Sequence, residues 1–433
     1  MKGCGFHMLK YSNFAIVGID VSSEFHIASA VAPDGSKLFS NFRFDNLPDD
    51  INSFVQKINE LKLMYPEIVC GIESTGSFHS TLLKSINSNN IETVLINPSI
   101  TNTTRKKTVR KVKNDNFDAS NVINAIKSQE FIPSNVPDQH ILELRQFVRD
   151  YYSFIDSAVK YKLKLKSLLN AYWIGYLNVF GSPYSMTSLA LLAKYPSPSS
   201  ILNAKKSNII KILMIARKGA SYANSTYDVL IKSCKDSLSV FPNSNYDKSI
   251  LFYVDTISKL EDSANMLEQH VIQFVNSDAC DLQFRNNYKL LLSIPAIGNF
   301  TAIAILAELG NFHIFKSAKS IIAYFGMDPK IVQSGKFSAN GLRITKAGSS
   351  IARRAIFAVA LRNVSCNRSR NPINPILREE YLSKCKSKAK LVALGHIMHK
   401  IVKIIFSVLK NQKKFEFIAK DEHIKLFNLK KSA

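Results

Sequence analysis

Acidic side chains are in short supply here: 33 Asp and Glu face 57 Lys and Arg across 433 residues, leaving a formal charge of +24. The cations recur throughout, so the excess is no detachable tail. A field of that sign repels polycations and draws polyanions, nucleic acid first among them. Cysteine is also sparse. Cys4, Cys70, Cys234, Cys280, Cys366 and Cys385 are scattered without a CxxC pair. That argues against a disulfide framework or a zinc site and for the reduced thiols of a cytosolic protein. No uninterrupted apolar run is long enough to span a bilayer, and no segment sets a large apolar face against a wholly basic one, so no membrane role is expected. The short apolar stretch after Lys2 and Lys10 runs into Asp20 and does not read as a signal-peptide core. With 46% hydrophobic residues the chain reads as globular, and its length predicts two or three domains.

The pattern over the first third predicts a mixed sheet with helices on its faces. Residues 14–31 alternate in strand fashion, Pro33-Asp34-Gly35 makes a turn, and 37–44 reads as a further strand. Helical spacing follows over 48–63, then a short buried strand at Ile68–Ile72, a helix over 77–88, and a strand at Ile91–Ile96 stopped by Asn97-Pro98. A helix is predicted for Asp115–Lys127. Strands alternating with helices define an α/β plan, and sites in such sheets gather at the C-terminal strand ends.

From Ile141 the period becomes heptad-like. Ile141, Leu144, Val148, Tyr151, Ile155, Ala158, Leu165, Leu169 and Tyr172 form one stripe, interrupted by Lys162. Ile250, Val254, Ile257, Leu260, Ala264, Leu267, Val271 and Phe274 form another. Two such helices predict a coiled-coil arm, paired within the chain or across a dimer; plain core helices of an α domain fit the same pattern. Between them, 177–247 is helical but broken at Ser182-Pro183 and Pro196-Ser197-Pro198, and reads as a small cap. The last block opens with Ser293-Ile294-Pro295-Ala296-Ile297-Gly298, a tight turn between helices of a kind whose free N–H groups bind phosphate. His396 and His399 lie one turn apart on a later helix, with no Cys or carboxylate to complete a metal set.

Four carboxylates carry the chemistry. Asp20 sits between Ile19 and Val21 on a strand, where an unmatched charge is costly. Glu73 ends another strand. Asp115 and Asp118, three apart, share one helix face, although Asp115 alone would serve as a helix cap. Hard carboxylate oxygens of this kind hold a divalent cation against phosphate. Just before the pair lie Arg105, Lys106, Lys107, Arg110, Lys111 and Lys113, which suit phosphate positioning better than a merely solvated face.

These residues resemble a family. Gly18-Ile19-Asp20-Val21-Ser22, Glu73-Ser74-Thr75-Gly76 and Lys113-Asn114-Asp115-Asn116-Phe117-Asp118-Ala119 resemble the three DEDD blocks of the insertion-sequence "one-ten" transposases, relatives of the Piv invertases. Ser293–Gly298, Ala307-Glu308-Leu309-Gly310, Gln333-Ser334-Gly335-Lys336 and Arg343-Ile344-Thr345-Lys346-Ala347-Gly348 resemble that family's second domain. The chain departs from the pattern at Asn114, where Thr is common, and at Ala296 and Lys336, where Gly is common.

The resemblance implies a RuvC-like, ribonuclease-H-type α/β domain over 12–135 holding Mg²⁺ on Asp20, Glu73, Asp115 and Asp118. It implies a helical coiled-coil arm with a small cap over 138–285, a mainly α transposase domain over 286–412 and a basic tail over 413–433. It further implies a serine nucleophile, which motif alignment assigns to Ser334, with Ser293 and Ser338 as rivals. Lys336, Arg343, Lys346, Arg353 and Arg354 would contact phosphate nearby. The partners implied are donor and target DNA, a bridge RNA that pairs with both, and further copies of the chain, as dimer and synaptic tetramer. The implied setting is the nucleoid. A site-specific invertase of the same family, a RuvC-type junction nuclease using only the carboxylates, and a non-catalytic nucleic-acid-binding protein whose acidic cluster is structural are the alternatives.

Overall fold

The computed structural model describes residues 11–73, 80–96, 115–127, 139–241, 246–330, 333–334, 337–338 and 343–417, with backbone alone at 80, 115–118, 333–334 and 337–338. Two compact units emerge. One comprises 1–142, 290–297 and 308–433; the other comprises 143–289 and 298–307.

The first unit begins with the sheet. Strands β1 (Ala15–Val21), β2 (Phe25–Val31) and β3 (Lys37–Asp45) form an antiparallel meander, while β4 (Ile68–Glu73) and β5 (Glu92–Ile96) join parallel to β1 in the order β3-β2-β1-β4-β5. Helix α1 (Pro48–Met64) separates β3 from β4. Pro48 in its first turn has no N–H to lose, and Asp49 and Asp50 suit the positive end of the helix dipole. A second helix, α2 (Ser80–Ser88), connects β4 to β5.

Side-chain parity splits the sheet into two faces. Val17, Ile19, Cys70 and Ile72 point into one core with Phe54 and Ile58 of α1 and Leu82, Leu83 and Ile86 of α2. Burial in that core pushes the Cys70 thiol up to about 12, an inert group. Ile16, Val69, Val94 and Ile96 point the other way, against Val122, Ile123 and Ile126 of α3 (Asp115–Lys127). This second contact depends on glycine. Gly18 and Gly71 are register partners on the parallel pair β1/β4. A Cβ at Gly18 would stand 2.3 Å from the Ala119 carbonyl oxygen and 2.7 Å from Ile123 Cγ1. At Gly71 the neighbours would be Ile126 Cδ1 at 2.4 Å and Val122 Cγ1 at 2.8 Å. At these two positions helix α3 thus meets strand backbone, with strand side chains packed around the contact.

The second unit is built on two long helices, α4 (Gln139–Tyr172) and, after the cap, α10 (Asp247–Asn276). They run antiparallel within one chain. Phe147 meets His270, Tyr161 meets Tyr253 and Tyr172 stacks on Tyr246. Lys162, the break in the first heptad stripe, pairs with Glu261, which stands next to the expected stripe of the second helix. The interruption is therefore matched across the pair. The buried seam of α10 runs Ile250, Val254, Ile257, Ala264, Val271 and Val275. Leu260, Leu267 and Phe274, expected in it, are half-buried beside it.

The cap consists of α5 (Tyr176–Val179), α6 (Met186–Lys194), α7 (Pro198–Leu202), α8 (Lys206–Leu213) and α9 (Ala220–Val240). Ser185 caps α6, and Ser197 with Ser200 forms a capping box on α7, so the Pro-Ser-Pro break restarts a helix. Trp173, Tyr176, Leu191, Ile201, Leu213 and Leu230 join Leu165 and Leu169 of α4 and Val254 and Ile257 of α10 in one core.

The remaining helices are α11 (Leu282–Leu291), α12 (Asn299–Leu309), α13 (Ala318–Tyr324), α14 (Ser350–Asn363), α15 (Pro375–Cys385) and α16 (Lys390–Asn411). Helix α16 is long and apolar enough to cross a membrane by length and composition, although lysines interrupt its apolar run. Its apolar face is instead buried: Leu394, Ile397, Ile401, Ile405 and Leu409 are core residues, and α13, α14 and α15 pack against it. Gly18→Ala should destabilise the sheet unit by about 2 kcal/mol or more, because it meets helix backbone. Gly71→Ala should cost less, since its neighbours are side-chain tips that can turn. Thermal denaturation of both variants tests that order.

Candidate active site

The register that pairs Gly18 with Gly71 ends at Ile19 and Ile72, and Asp20 and Glu73 are the next residues on the two strands. Each carboxylate lies two residues beyond its glycine and so on the same face, the one covered by α3. Asp20 is half-buried and Glu73 is only 5% exposed. Adjacent strands are about 4.8 Å apart, so the two acids stand at the ends of neighbouring strands. Asp115 and Asp118 open α3, the latter just before Ala119, whose carbonyl faces Gly18. Their side chains lie outside the described residues. So do Arg105, Lys106, Lys107, Arg110, Lys111, Lys113 and Lys336. Among the described residues no group of three or more metal-ligating side chains occurs. The donors that are described, two carboxylates on one face of the sheet, are hard oxygen and suit a divalent cation.

The serine block is a hairpin on a clamped base. Strands β6 (Gln333–Ser334) and β7 (Phe337–Ser338) pair Ser334 with Phe337. Below them, Lys330 N donates to Arg343 O at 2.9 Å, Thr345 N to Asp328 O at 2.8 Å, and Lys346 N to Gly326 O at 2.9 Å. Pro329 and Ile344 form a bridge in the same ladder. Two glycines let the strands of this base close. A Cβ on Gly326 would lie 2.6 Å from Ala347 N, and one on Gly348 would lie 2.2 Å from Tyr324 O. Helix α16 supports the first of these strands, where His399 Nε2 lies 3.1 Å from Met327 O. His396 turns elsewhere, to Glu380 at 2.6 Å, so the two histidines serve separate contacts.

Of the four described basic residues expected to contact phosphate, Arg343, Lys346 and Arg354 are exposed, and Arg354 already has an interaction partner. Arg353 does something else. Its Nη1 donates to Phe325 O and to Gly348 O, both at 2.8 Å, fastening the two sides of the hairpin base. Partial burial lowers its pKa, a cost that these bonds offset. Ser293, the rival nucleophile, is also engaged: its hydroxyl donates to Leu290 O at 2.6 Å and accepts from Phe415 N at 2.7 Å. Side chains of Ser334 and Ser338 lie outside the described residues. In the turn before α12, Ala296 has a φ of 65°, left-handed backbone that explains why glycine is common there. Asn363, fully buried, donates to Pro295 O and accepts from Asn374, tying that turn to α14 and α15.

The packing role of the two glycines, the clamped hairpin base and the carbonyl contacts of Arg353 were not among the expectations from sequence. A signal was present. Gly18-Ile19-Asp20 and Gly71-Ile72-Glu73 repeat one pattern, a glycine two residues before each acid on one strand face.

A mixed five-stranded sheet with helices, followed by a mostly helical remainder, is consistent with the class of DEDD transposases and DNA recombinases. Residues 17–174 match the family model of IS110-type DEDD transposases, described as a transposase, and residues 288–373 match one described as Transposase IS116/IS110/IS902 family. The chain belongs to the IS110 family of transposases. It is 25% identical over 228 residues to the pilin gene-inverting proteins of Moraxella bovis and Moraxella lacunata, an alignment covering 52% of this chain and 66% of theirs. It is 19% identical over 306 residues to an insertion element IS110 uncharacterized 43.6 kDa protein of Streptomyces coelicolor, covering 70% of this chain and 71% of that one.

Arg353→Lys keeps the charge but cannot reproduce a guanidinium reaching two carbonyls. Amide exchange at Lys330 and Thr345 should quicken roughly tenfold, as expected for losing a charge-assisted bond worth about 1.5 kcal/mol. A purely phosphate-binding Arg353 would leave those amides unchanged in the free protein.

Proposed function

We propose that this chain cuts and rejoins DNA as the transposase of an insertion sequence, through a covalent phosphoserine at Ser334 and a Mg²⁺ site formed by Asp20, Glu73, Asp115 and Asp118. The observation that supports the reading is the β1/β4 pairing through Ile19 and Ile72, with Asp20 and Glu73 next on each strand and the other two acids opening the helix packed on that face of the sheet. The sheet order, with its antiparallel meander and two parallel strands, suits a ribonuclease-H-type, RuvC-like domain. The bound cation would screen phosphate charge and favour ionisation of the attacking hydroxyl.

The serine step balances without an added cofactor. Ser334 Oγ forms a bond to phosphorus as one deoxyribose oxygen leaves, and that oxygen takes up the proton the serine loses. Attack by a hydroxyl from another strand reverses the step, so the number of phosphodiesters is conserved and no ATP is needed. A serine is a weak nucleophile without help. In this reading the carboxylate site of another copy supplies that help, and the antiparallel arm, acting as a coiled coil, assembles the dimer and the synaptic tetramer. Exposed Arg343 and Lys346 beside the hairpin base fit phosphate contacts, with a bridge RNA choosing the donor and target sequences by pairing. A second reading, site-specific inversion by the same chemistry, draws on the pilin gene-inverting relatives.

A denaturing gel tests the proposal. Protein, Mg²⁺, the candidate RNA and labelled DNA carrying an element junction should yield a protease-sensitive protein–DNA adduct. EDTA, Ser334→Ala and Asp20→Asn should each abolish it. Nicked DNA that persists in Ser334→Ala would make this a carboxylate nuclease.

A further inference from the structure

From Ser157 to Tyr227 the chain contains no Asp or Glu at all, although its average would place about five there, and it contains ten Lys and Arg. That stretch covers the end of α4 and the cap as far as the first half of α9. The structure leaves these cations on the outside. Lys205, Lys206, Lys211, Arg217 and Lys218 lie on α8 and at its two ends, and all are exposed. On the second half of α4, Lys160, Lys164 and Lys166 are exposed too. Lys162, the one cation of the stretch that turns inward, is neutralised by Glu261. Among the described residues, no ion pair involves the others.

We propose that the cap binds the backbone of duplex DNA, independently of sequence, at a surface separate from the acidic and serine sites. Uncompensated ammonium groups on a folded surface repel one another unless an anion shares them, and the density here matches a polyphosphate. Some are held in place: Lys206 lies 4.9 Å from the Tyr227 ring centroid and Lys218 lies 4.5 Å from that of Tyr222. The same contacts argue for duplex over single strand. Stacking of unpaired bases needs open aromatic faces. Here Tyr222 and Tyr227 carry lysines, Tyr172 stacks on Tyr246 at 3.7 Å, and Tyr176 is buried. The surface therefore offers charge without a platform for bases. The inference rests on the reading that the chain acts on DNA, and it adds where flanking duplex would be gripped.

The test is fluorescence anisotropy of the full chain with a labelled duplex of about thirty base pairs and arbitrary sequence, titrated across salt concentrations. Changing Lys205, Lys206, Lys211 and Lys218 together to Gln should weaken binding and reduce the slope of log affinity against log salt by about 3 to 4, near 0.9 for each phosphate no longer neutralised. The matching set of four Arg substitutions should retain the slope. Thermal melting checks that the Gln variant is folded, and Lys211→Glu alone, which should weaken binding at low salt, serves if it is not. An unchanged slope, tighter binding to duplex RNA of the same sequence, or stronger attachment to anionic lipid vesicles than to DNA would overturn the proposal. Failure here is separable from failure of the catalytic reading. At saturating protein the Gln variant should still form the serine adduct, and Ser334→Ala should leave the salt slope unaltered.

Discussion

Everything at the acidic site depends on how closely one helix can approach two strands. Packed side chains normally hold neighbouring layers about 10 Å apart. Gly18 and Gly71 remove that spacer at adjacent positions, so α3 rests on backbone at Gly18 and on the tips of its own isoleucine and valine at Gly71. The strands supply two carboxylates just past the contact, and the helix supplies two just before it. The metal site proposed for these acids would need such a fixed separation, because oxygen ligands must converge within a few ångströms.

The serine block meets a similar demand by other means. A two-stranded hairpin as short as β6–β7 is marginal on its own. Here its base is closed by a backbone ladder, two glycines at points of near contact, and the guanidinium of Arg353 reaching both sides. In the second unit the same logic is electrostatic. Lys162 breaks an apolar stripe, and Glu261 answers it at the same level of the facing helix, which favours the register in which they meet.

How much of this was legible depended on the range of the contacts involved. The strands, α1 and α3, and the two long helices follow from local periodicity and appear within a few residues of their expected bounds. The strand positions of Asp20 and Glu73 were legible from local pattern, Asp20 between Ile19 and Val21 and Glu73 at a strand end. The function of Gly18 was not, since the cost of a side chain there comes from Ala119, far along the chain. Arg353 misled for a related reason: a basic helix start looks like a phosphate contact until the carbonyls of Phe325 and Gly348 are seen beside it. The seam of α10 drifted from the expected stripe at Leu260, Leu267 and Phe274, because two interleaved heptad patterns are present and only partner packing chooses between them.

The closed base beneath Ser334 also bears on how this protein could diversify. Because Lys330 and Arg343 are joined by a backbone bond, the chain between them begins and ends at one place whatever its length. Loop closure then grows only with the logarithm of length, so residues can be added or exchanged there at small entropic cost. The fold around it would register such changes weakly. Variation in that segment can thus be sampled as a module, with selection acting on what the hairpin touches and the scaffold left out of the negotiation.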